Sequence, residues 1–376
     1  MKTLVSIILF GFISGNAWAD TYPNIEGSYD INLQTDSVNS YKDANPNTND
    51  SDLKSTDTFV EVSSNFVLNL KDSVSIETSW LLLNVKSSDR VGADRVFDDE
   101  GLVLEELFIK FTNEDAEFSV GKINPDFGSA WKGEVSSGIW GSDYGEEYQI
   151  TGKLGLEVKA KFDLEDYGNH IVSLNTFFSD DTGLEKSTVT RRDALSDERG
   201  QAGNSGGFSS YTLSVSGNDF YNYEGLFYEL SYRNLDSGKG VSNIADEEGY
   251  SLGVGLEREL LSNLTIKPYF EYVVINNFNS INNRFGPEFG DNDIPGDYEY
   301  LSLMLSIDYK NWGMHMNRLE KDYDYNIKSG SDQVEYSVSY GFKNGLSLSM
   351  GRKSEEDSSA NEISTVGAML ALNRTF

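Results

Sequence analysis

Stretches of alternating apolar and polar residues run through most of this sequence, and the connections between them alternate in length. Residues 334–342, for example, read VEYSVSYGF, with an apolar or aromatic side chain at every second position. A period of two is typical of β-strands whose two faces meet different surroundings. The connections are short turns and long Asp-, Asn-, Gly- and Ser-rich loops in strict succession. This pattern restricts the chain to an all-β fold of sequentially adjacent antiparallel strands.

The alternation predicts sixteen strands, and no amphipathic helix of ordinary length interrupts them. The predicted strands are 24–34, 57–71, 73–86, 102–112, 115–122, 147–163, 169–179, 207–217, 224–235, 248–260, 263–276, 297–310, 312–322, 332–343, 345–353 and 362–376. No linker or change of composition divides them, so residues 20–376 are predicted to form one domain.

Residues 1–19 have the three parts of a secretory signal peptide. Lys2 provides the positive end, an apolar run follows, and Ala17-Trp18-Ala19 has the small-x-small pattern of a cleavage site. The apolar run is shorter than the ~20 residues that a spanning helix needs. The mature chain is therefore expected to begin at Asp20.

The composition narrows the partners and the means of stabilisation. The formal net charge is −31, with 61 acidic and 30 basic residues, and there is no cysteine. Nucleic acid would be repelled by such a chain, small cations would be attracted, and disulfides are excluded. Aromatic residues are abundant and proline is scarce, as expected of many strands joined by turns.

An even number of strands of about ten residues, apolar on one face and joined alternately by short turns and long loops, is the signature of a transmembrane antiparallel β-barrel. Closure pairs every backbone group, which lipid requires. Aromatic residues are predicted to form belts at both ends. Those near the short turns are Phe162, Tyr167, Phe220, Tyr221, Tyr309, Trp312, Phe342 and Phe376, and those toward the long loops are Tyr250, Tyr298, Tyr300, Tyr323 and Tyr336. The alternative is a soluble β-sandwich or β-helix, which would not need these belts.

Sixteen strands enclose an aqueous lumen, and the chain resembles Gram-negative outer-membrane porins in this architecture. General porins fold their third loop inward, which here would be 123–146. Its Pro125-Asp126-Phe127-Gly128 is similar to the Pro-Glu-Phe-Gly element of enterobacterial porins, and GKINPDFG is similar to a stretch of phosphate-selective-type porins. The resemblance implies a passive diffusion channel in the outer membrane and a homotrimer.

The third loop carries four acidic residues that are candidates for a constriction. They are Asp126, Glu134, Asp143 and Glu146, against the single basic residue Lys132. Inside the lumen these carboxylates would attract cations and repel anions. On a solvated surface loop they would only reflect the acidic composition, and the sequence leaves both interpretations open.

Basic residues on the polar strand faces could line the opposite wall. By parity the inward set is Lys110, Lys153, Lys159, Lys161, Arg233 and Lys267. Inward acids of similar number include Glu61, Glu77, Glu106, Glu157, Glu229, Glu257 and Glu271. Bases and acids so placed could largely neutralise one another. A phosphate- or anion-selective channel would need an excess of the bases, and a sugar channel would need aromatic positions in the lumen.

The C-terminal strand ends on an aromatic residue, Phe376. Leu370, Leu372 and Phe376 resemble the terminal signal by which bacterial outer-membrane proteins are read by their barrel assembly machinery, although Arg374 departs from that pattern. The strand is expected to close on the first one, with Phe376 at the periplasmic interface. Lipid and lipopolysaccharide would be the surrounding partners.

Other functions have less support from the sequence. Acidic clusters such as Asp98-Asp99-Glu100 could loosely bind divalent cations, but no cofactor motif is present. A hydrolase would need a nucleophile and a histidine base, and the only histidines are His170 and His315. The long loops could also give the protein an adhesin role. We therefore predict a non-enzymatic, water-filled channel with a preference for cations.

Overall fold

The computed structural model describes residues 22–42, 54–85, 92–190, 202–203, 207–237, 245–278, 296–323 and 330–376, so the predicted leader at 1–19 lies outside the described residues. Sixteen strands form the wall. They are β1 (Asn24–Lys42), β2 (Thr56–Lys71), β3 (Val74–Asn84), β4 (Glu100–Thr112), β5 (Ala116–Ile123), β6 (Lys153–Asp163), β7 (Asn169–Ser179), β8 (Ser210–Asn218), β9 (Leu226–Leu235), β10 (Glu247–Leu256, continued by Arg258–Leu261), β11 (Leu264–Asn276), β12 (Tyr298–Tyr309), β13 (Trp312–Tyr323), β14 (Ser331–Gly341), β15 (Leu346–Glu356) and β16 (Glu362–Thr375).

The strands close into one transmembrane antiparallel barrel, as the sequence predicted. Each strand pairs with the next along the chain, and β1 pairs with β16 from Ser28 opposite Thr375 to Lys42 opposite Glu362. Because the last strand satisfies the free edge of the first, the ladder has no open edge.

The two faces of the wall differ as a membrane barrel requires. Leucine, valine and aromatic side chains are exposed on the outside, whereas serine, asparagine and glutamate side chains are buried on the inside. All eight aromatic residues predicted near the short turns are exposed. Tyr250 and Tyr336 are exposed toward the other end, but Tyr300 is buried, so its assignment to the outer belt was wrong.

The C-terminal residue is held in the sheet rather than frayed. Phe376 and Gly27 exchange backbone hydrogen bonds of 2.9 and 3.0 Å, and the phenyl ring meets Phe66 on β2 edge-on with centroids 6.1 Å apart. A Cβ on Gly27 would lie 2.7 Å from the ring, so the glycine makes room for it. The terminal aromatic therefore covers the seam between β16, β1 and β2.

Two errors in the predicted strands are larger than the rest: β1 continues to Lys42 where the prediction ended at 34, and residues 147–152 do not belong to a strand. They were assigned to a strand beginning at 147, but β6 begins at Lys153, and a short helix, α1 (Asp143–Tyr148), precedes it. Tyr148 and Ile150 produced the apparent alternation because both are buried, but inside the lumen rather than on the wall. The third loop is thus longer than predicted and spans 124–152.

Two short strands of two residues each, both in long loops, pair with strands of the wall near one end of the barrel. Thr188–Val189 pairs antiparallel with the start of β4 at Gly101 and Leu102, beyond the point where β5 has ended. Arg95–Val96 pairs in parallel with the start of β2. Within the described ranges no helix is both long enough and apolar enough to span a membrane.

Candidate functional site: the loop across the lumen

The third loop, residues 124–152, lies inside the barrel. Phe127 and Ala130 are fully buried, and Trp140 and Tyr148 retain 2% and 1% of their exposed surface. These apolar side chains explain why the loop folds inward. Inside the barrel the wall covers their apolar surface, which would be exposed to water if the loop were outside. The hydrogen bonds of the loop then determine its path across the lumen.

Glu271 on β11 is the first anchor. Its carboxylate accepts hydrogen bonds from the backbone N–H groups of Ser129 (2.7 Å) and Ala130 (2.9 Å), and from the hydroxyls of Tyr148 and Tyr269. Glu271 is 1% exposed. A buried carboxylate is tolerable when several donors satisfy it, so this contact fixes the early part of the loop.

Glu335 on β14 is the second anchor. It accepts from the backbone N–H groups of Ile139 (2.6 Å) and Trp140 (3.1 Å) and from the side-chain amide of Asn317 (2.8 Å). The indole N–H of Trp140 donates to Asp36 on β1 at 3.0 Å. The middle of the loop is thereby attached to β14 and β1 at once.

The helix α1 completes the attachment. Asp143 accepts from Lys353 on β15 at 2.9 Å, and Glu147 pairs with Lys321 on β13 and accepts from the Tyr300 hydroxyl at 3.1 Å. The loop therefore contacts the barrel wall at several strands around its circumference, which leaves a narrowed passage beside it.

Asp126 lies near the start of the loop, next to basic residues of the wall and of the loop itself. Its carboxylate lies 3.2 Å from Lys159 and 3.9 Å from Lys132, and Lys132 also pairs with Glu229 at 2.7 Å. Burial would raise the pKa of Asp126, but the two ammonium groups outweigh it and hold that pKa below its usual value. Asp126 is therefore ionised, and the two lysines compensate its negative charge.

The other three predicted acids differ from Asp126 and from one another. Asp143 is paired with Lys353, as described above, and Glu134 is exposed on the loop. Glu146 accepts from Ser142 at 2.6 Å and lines the passage, where burial and the nearby Asp143 raise its pKa. Glu146 is thus the predicted loop acid that faces the passage without a basic neighbour in ion-pair contact, as far as the described residues show.

Most of the predicted wall bases lie in ion pairs. Lys153 is the exception within the described ranges, and its ammonium donates to Ser179 at 3.3 Å. The pairs are Lys110–Glu77, Lys159–Glu157, Lys161–Glu117, Arg233–Glu247, Lys267–Glu257 and Lys267–Asp308. Pairing leaves these bases little net field with which to attract an anion.

A cavity of about 1230 Å³ lies between the loop and the wall formed by β1 to β4, with parts of β9 and β10. Seven carboxylates line it, against three bases. The acids are Glu61, Glu105, Glu146, Glu147, Asp180, Glu185 and Glu247, and the bases are Lys122, Lys153 and Arg233. Its formal charge is therefore negative.

The two bases buried in this lining are fully engaged. Lys122 binds Asp180 and Glu185, each at 2.8 Å, and Arg233 pairs with Glu247 while donating to the Tyr148 carbonyl at 2.6 Å. The lysine ammonium lowers the pKa of Asp180 despite the burial that would raise it. The negative excess accordingly lies on the other side of the cavity, toward Glu61 and Glu146.

Sequence reasoning missed the two anchoring glutamates. The sequence places Glu271 among the inward acids without indicating that it anchors the loop, and Glu335 is one polar position between Val334 and Tyr336 in the alternation of its strand. The only sign of an anchor in the sequence is a glutamate on the lumen face of a strand that lies several strands away from the loop. The partners could not be inferred, since Ile139 and Glu335 are 196 residues apart.

The histidines occupy ordinary hydrogen-bonded positions. His170 contacts the Tyr228 hydroxyl at 2.9 Å and the Tyr167 carbonyl at 2.8 Å, near a short turn. His315 lies between Ser306 (2.7 Å) and Ser339 (3.0 Å) on the lumen wall. In the described ranges no group of three or more acidic or histidine side chains is arranged to hold a metal ion.

Comparison with known proteins places this architecture among bacterial channels. No family model and no curated protein matches the sequence. The outer membrane channel DcaP of Acinetobacter baumannii is similar with a TM-score of 0.54 at 11% identity, covering 96% of this chain and all of DcaP. The chain has the fold of a Gram-negative outer-membrane channel.

Two Pseudomonas aeruginosa structures extend the similarity. OccK1 (OpdK) gives a TM-score of 0.51 at 10% identity over 93% of this chain and 99% of its own. OccK8 (OprE) gives 0.50 at 12% identity over 94% of this chain and 98% of its own. At such identities the fold is shared, and the residues of the lumen must be interpreted from this chain itself.

Proposed function

We propose that this protein is an outer-membrane channel for the passive diffusion of ions and small hydrophilic solutes, with a preference for cations. The observation that carries the proposal is the lining of the cavity beside the third loop, where carboxylates outnumber bases. Fixed negative charge in a narrow aqueous passage raises the local concentration of cations. The loop sets the size limit, and the charge sets the sign of selectivity.

Two further features support a channel over the other functions. The similar structures include a protein named as an outer membrane channel, and the histidines lack the nucleophile–base–acid arrangement of a hydrolase among their described contacts. OpdK has also been crystallised with vanillate, an aromatic carboxylate. A channel selective for carboxylates would need free bases, whereas the wall bases here are mostly paired.

The partners follow from the resemblance and remain predictions. A homotrimer in the outer membrane, contact with lipopolysaccharide, and assembly through the C-terminal strand belong to this set. An adhesin role of the long loops would be additional to conduction.

The deciding experiment is the reversal potential of single channels in a planar bilayer under a KCl gradient. We expect a potassium preference in the wild type and a reversal potential closer to zero in the double variant Glu61→Gln, Glu146→Gln. Asp308→Asn is the matched control, because it removes a lumen carboxylate outside the cavity while Lys267 keeps Glu257 at 3.1 Å. A chloride preference would overturn the cation proposal, and folded protein without conductance would overturn the channel.

A further inference from the structure

One side of the cavity is apolar, which is unusual for the lumen of a water-filled barrel. Ser63, Leu81 and Val103 lie side by side on β2, β3 and β4, and all three line the cavity. Leu83 and Val85 continue the lining along the chain from Leu81. The sequence shows the cause, because Leu81, Leu82 and Leu83 interrupt the alternation of β3 with three leucines in a row.

The register of β4 brings Val103 into this patch. The pairing of β3 with β4 shifts between Ser79 and Trp80, where Glu105 is skipped. Such a bulge changes which residues of a strand share a face. Val103 is therefore 6% exposed and adjacent to Leu81. The apolar patch is consequently a built feature of two strands rather than one stray side chain.

A carboxylate pair lies next to the patch. Glu61 is two residues before Ser63 on β2 and thus on the same face, and Glu146 and Asp143 of α1 are among the charges that act on it. Asp143 is neutralised by Lys353 at 2.9 Å, but no lysine or arginine in the described ranges pairs with Glu61 or Glu146. Two carboxylates therefore line the cavity within electrostatic reach of each other, and no base of the described residues pairs with either of them.

The remaining charges of the lining do not supply that countercharge. Lys122, Lys153 and Arg233 are matched in number by Asp180, Glu185 and Glu247 on the same side of the cavity. Lys153, which makes no ion pair in the described ranges, lies with this group at the start of β6, so an anion would find an unpaired base there and not beside Glu61 and Glu146 on β2 and α1. A cation would meet Glu61 and Glu146.

We propose that this cavity takes amphiphilic organic cations, with an apolar body against Leu81, Leu83 and Val103 and an ammonium group between Glu61 and Glu146. Covering the apolar side chains removes their surface from water, while the ammonium offsets the repulsion between the carboxylates. The volume of about 1230 Å³ exceeds the usual range of small-molecule pockets, so a solute fits with water around it. This inference rests on the proposed channel function and assigns its substrate class.

The test uses three probes on single channels of the full-length protein: benzyltrimethylammonium, tetramethylammonium and benzenesulfonate. Benzyltrimethylammonium is expected to interrupt the current with dwell times about tenfold longer than tetramethylammonium, which lacks the apolar body. Benzenesulfonate, which has the ring but the opposite charge, is expected to cause no interruptions.

Variants separate the two parts of the site. Glu61→Gln and Leu81→Ser should each shorten the benzyltrimethylammonium dwell time severalfold, whereas the control Asp308→Asn should leave it unchanged. Heat-shifted gel mobility establishes that each variant has folded, and if either variant does not fold, the comparison of probes on the wild type still decides. Equal dwell times for the two cations, or interruptions by benzenesulfonate, would overturn the inference while a potassium preference kept the channel proposal intact. Loss of conductance or a chloride preference would overturn the proposed function first.

Discussion

At the scale of single residues, a few side chains hold groups that are far apart in the sequence. Glu271 satisfies two backbone N–H groups of the loop and two tyrosine hydroxyls, and Glu335 satisfies two more backbone N–H groups. Leaving such buried donors unsatisfied costs about 1–3 kcal/mol each. These carboxylates therefore serve the position of the loop, although their charge alone suggested ion selectivity.

Phe376 makes the clearest residue-scale prediction. Phe376→Ala should remove an edge-on ring contact with Phe66 worth about 1 kcal/mol and uncover the seam where β16 meets β1. We expect a lower yield and a slower rate of refolding into detergent micelles, measured by the gel-mobility shift of the folded barrel.

Phe342→Ala is the matched control for this prediction. Phe342 is 45% exposed against 47% for Phe376, and it packs on Tyr340 away from the β1–β16 seam. Equal refolding of the two variants would contradict a special role of Phe376 in closure.

At the scale of elements, the third loop matters more than any strand, because its path decides the shape of the lumen. The indole of Trp140 fills a space above two glycines, since a Cβ at Gly367 would lie 2.3 Å from the ring and one at Gly351 would lie 3.2 Å from it. Trp140 is 2% exposed and cannot move freely. The flat glycine surface on β15 and β16 is therefore where the middle of the loop docks.

Gly367→Ala tests this docking. Overpacking of a filled site costs about 1–3 kcal/mol, so the variant should displace Trp140 and loosen the loop from β16. We expect altered single-channel conductance with more frequent subconductance levels.

Gly341→Ala provides the comparison, because a Cβ there would meet its nearest atom at an ordinary 3.9 Å. Indistinguishable current traces from the Gly367→Ala variant and the wild type would show that the loop does not depend on this contact.

At the scale of the whole molecule, the acidic chain and its paired wall bases determine the field in the lumen. Asp126 keeps its charge to a lower pH than an ordinary aspartate, because Lys159 and Lys132 lower its pKa, whereas burial and the nearby Asp143 raise the pKa of Glu146. A carboxyl with a raised pKa is already protonated at a pH where an ordinary glutamate is still charged. Selectivity should therefore respond to pH before the barrel loses its paired acids.

We expect the potassium-to-chloride permeability ratio to fall as the pH decreases toward the raised pKa of Glu146, above the ordinary glutamate value of 4.5. Glu146→Gln should show the lower ratio already at neutral pH and a weaker dependence on pH. The measurement is the reversal potential over a series of pH values.

Glu134→Gln changes an acid of the same loop that is not among the residues lining the cavity, so it is the control and should retain the wild-type profile. If it abolished the pH dependence as fully as Glu146→Gln, the selectivity would come from loop charge in general and not from Glu146.

The barrel could be predicted from the amino-acid sequence alone. Strands such as β7 were predicted at their observed bounds, and the closure of β16 on β1 followed from the even strand count and the terminal aromatic. A period of two is a local property, and the different solvents on the two faces fix it in every strand independently. Parity likewise predicts that the wall bases point inward, and this stays a prediction.

The contacts of the inward groups could not be predicted from the sequence and depend on how the chain folds. The loop binds Glu271 and Glu335 from β11 and β14, and Leu81 of β3 meets Val103 only through a shift in register. Those contacts join residues more than a hundred positions apart, or depend on a single skipped residue, so no local pattern encodes them. The physical reason is that closure of the barrel brings distant strands around one small lumen, where geometry rather than sequence distance selects the partners.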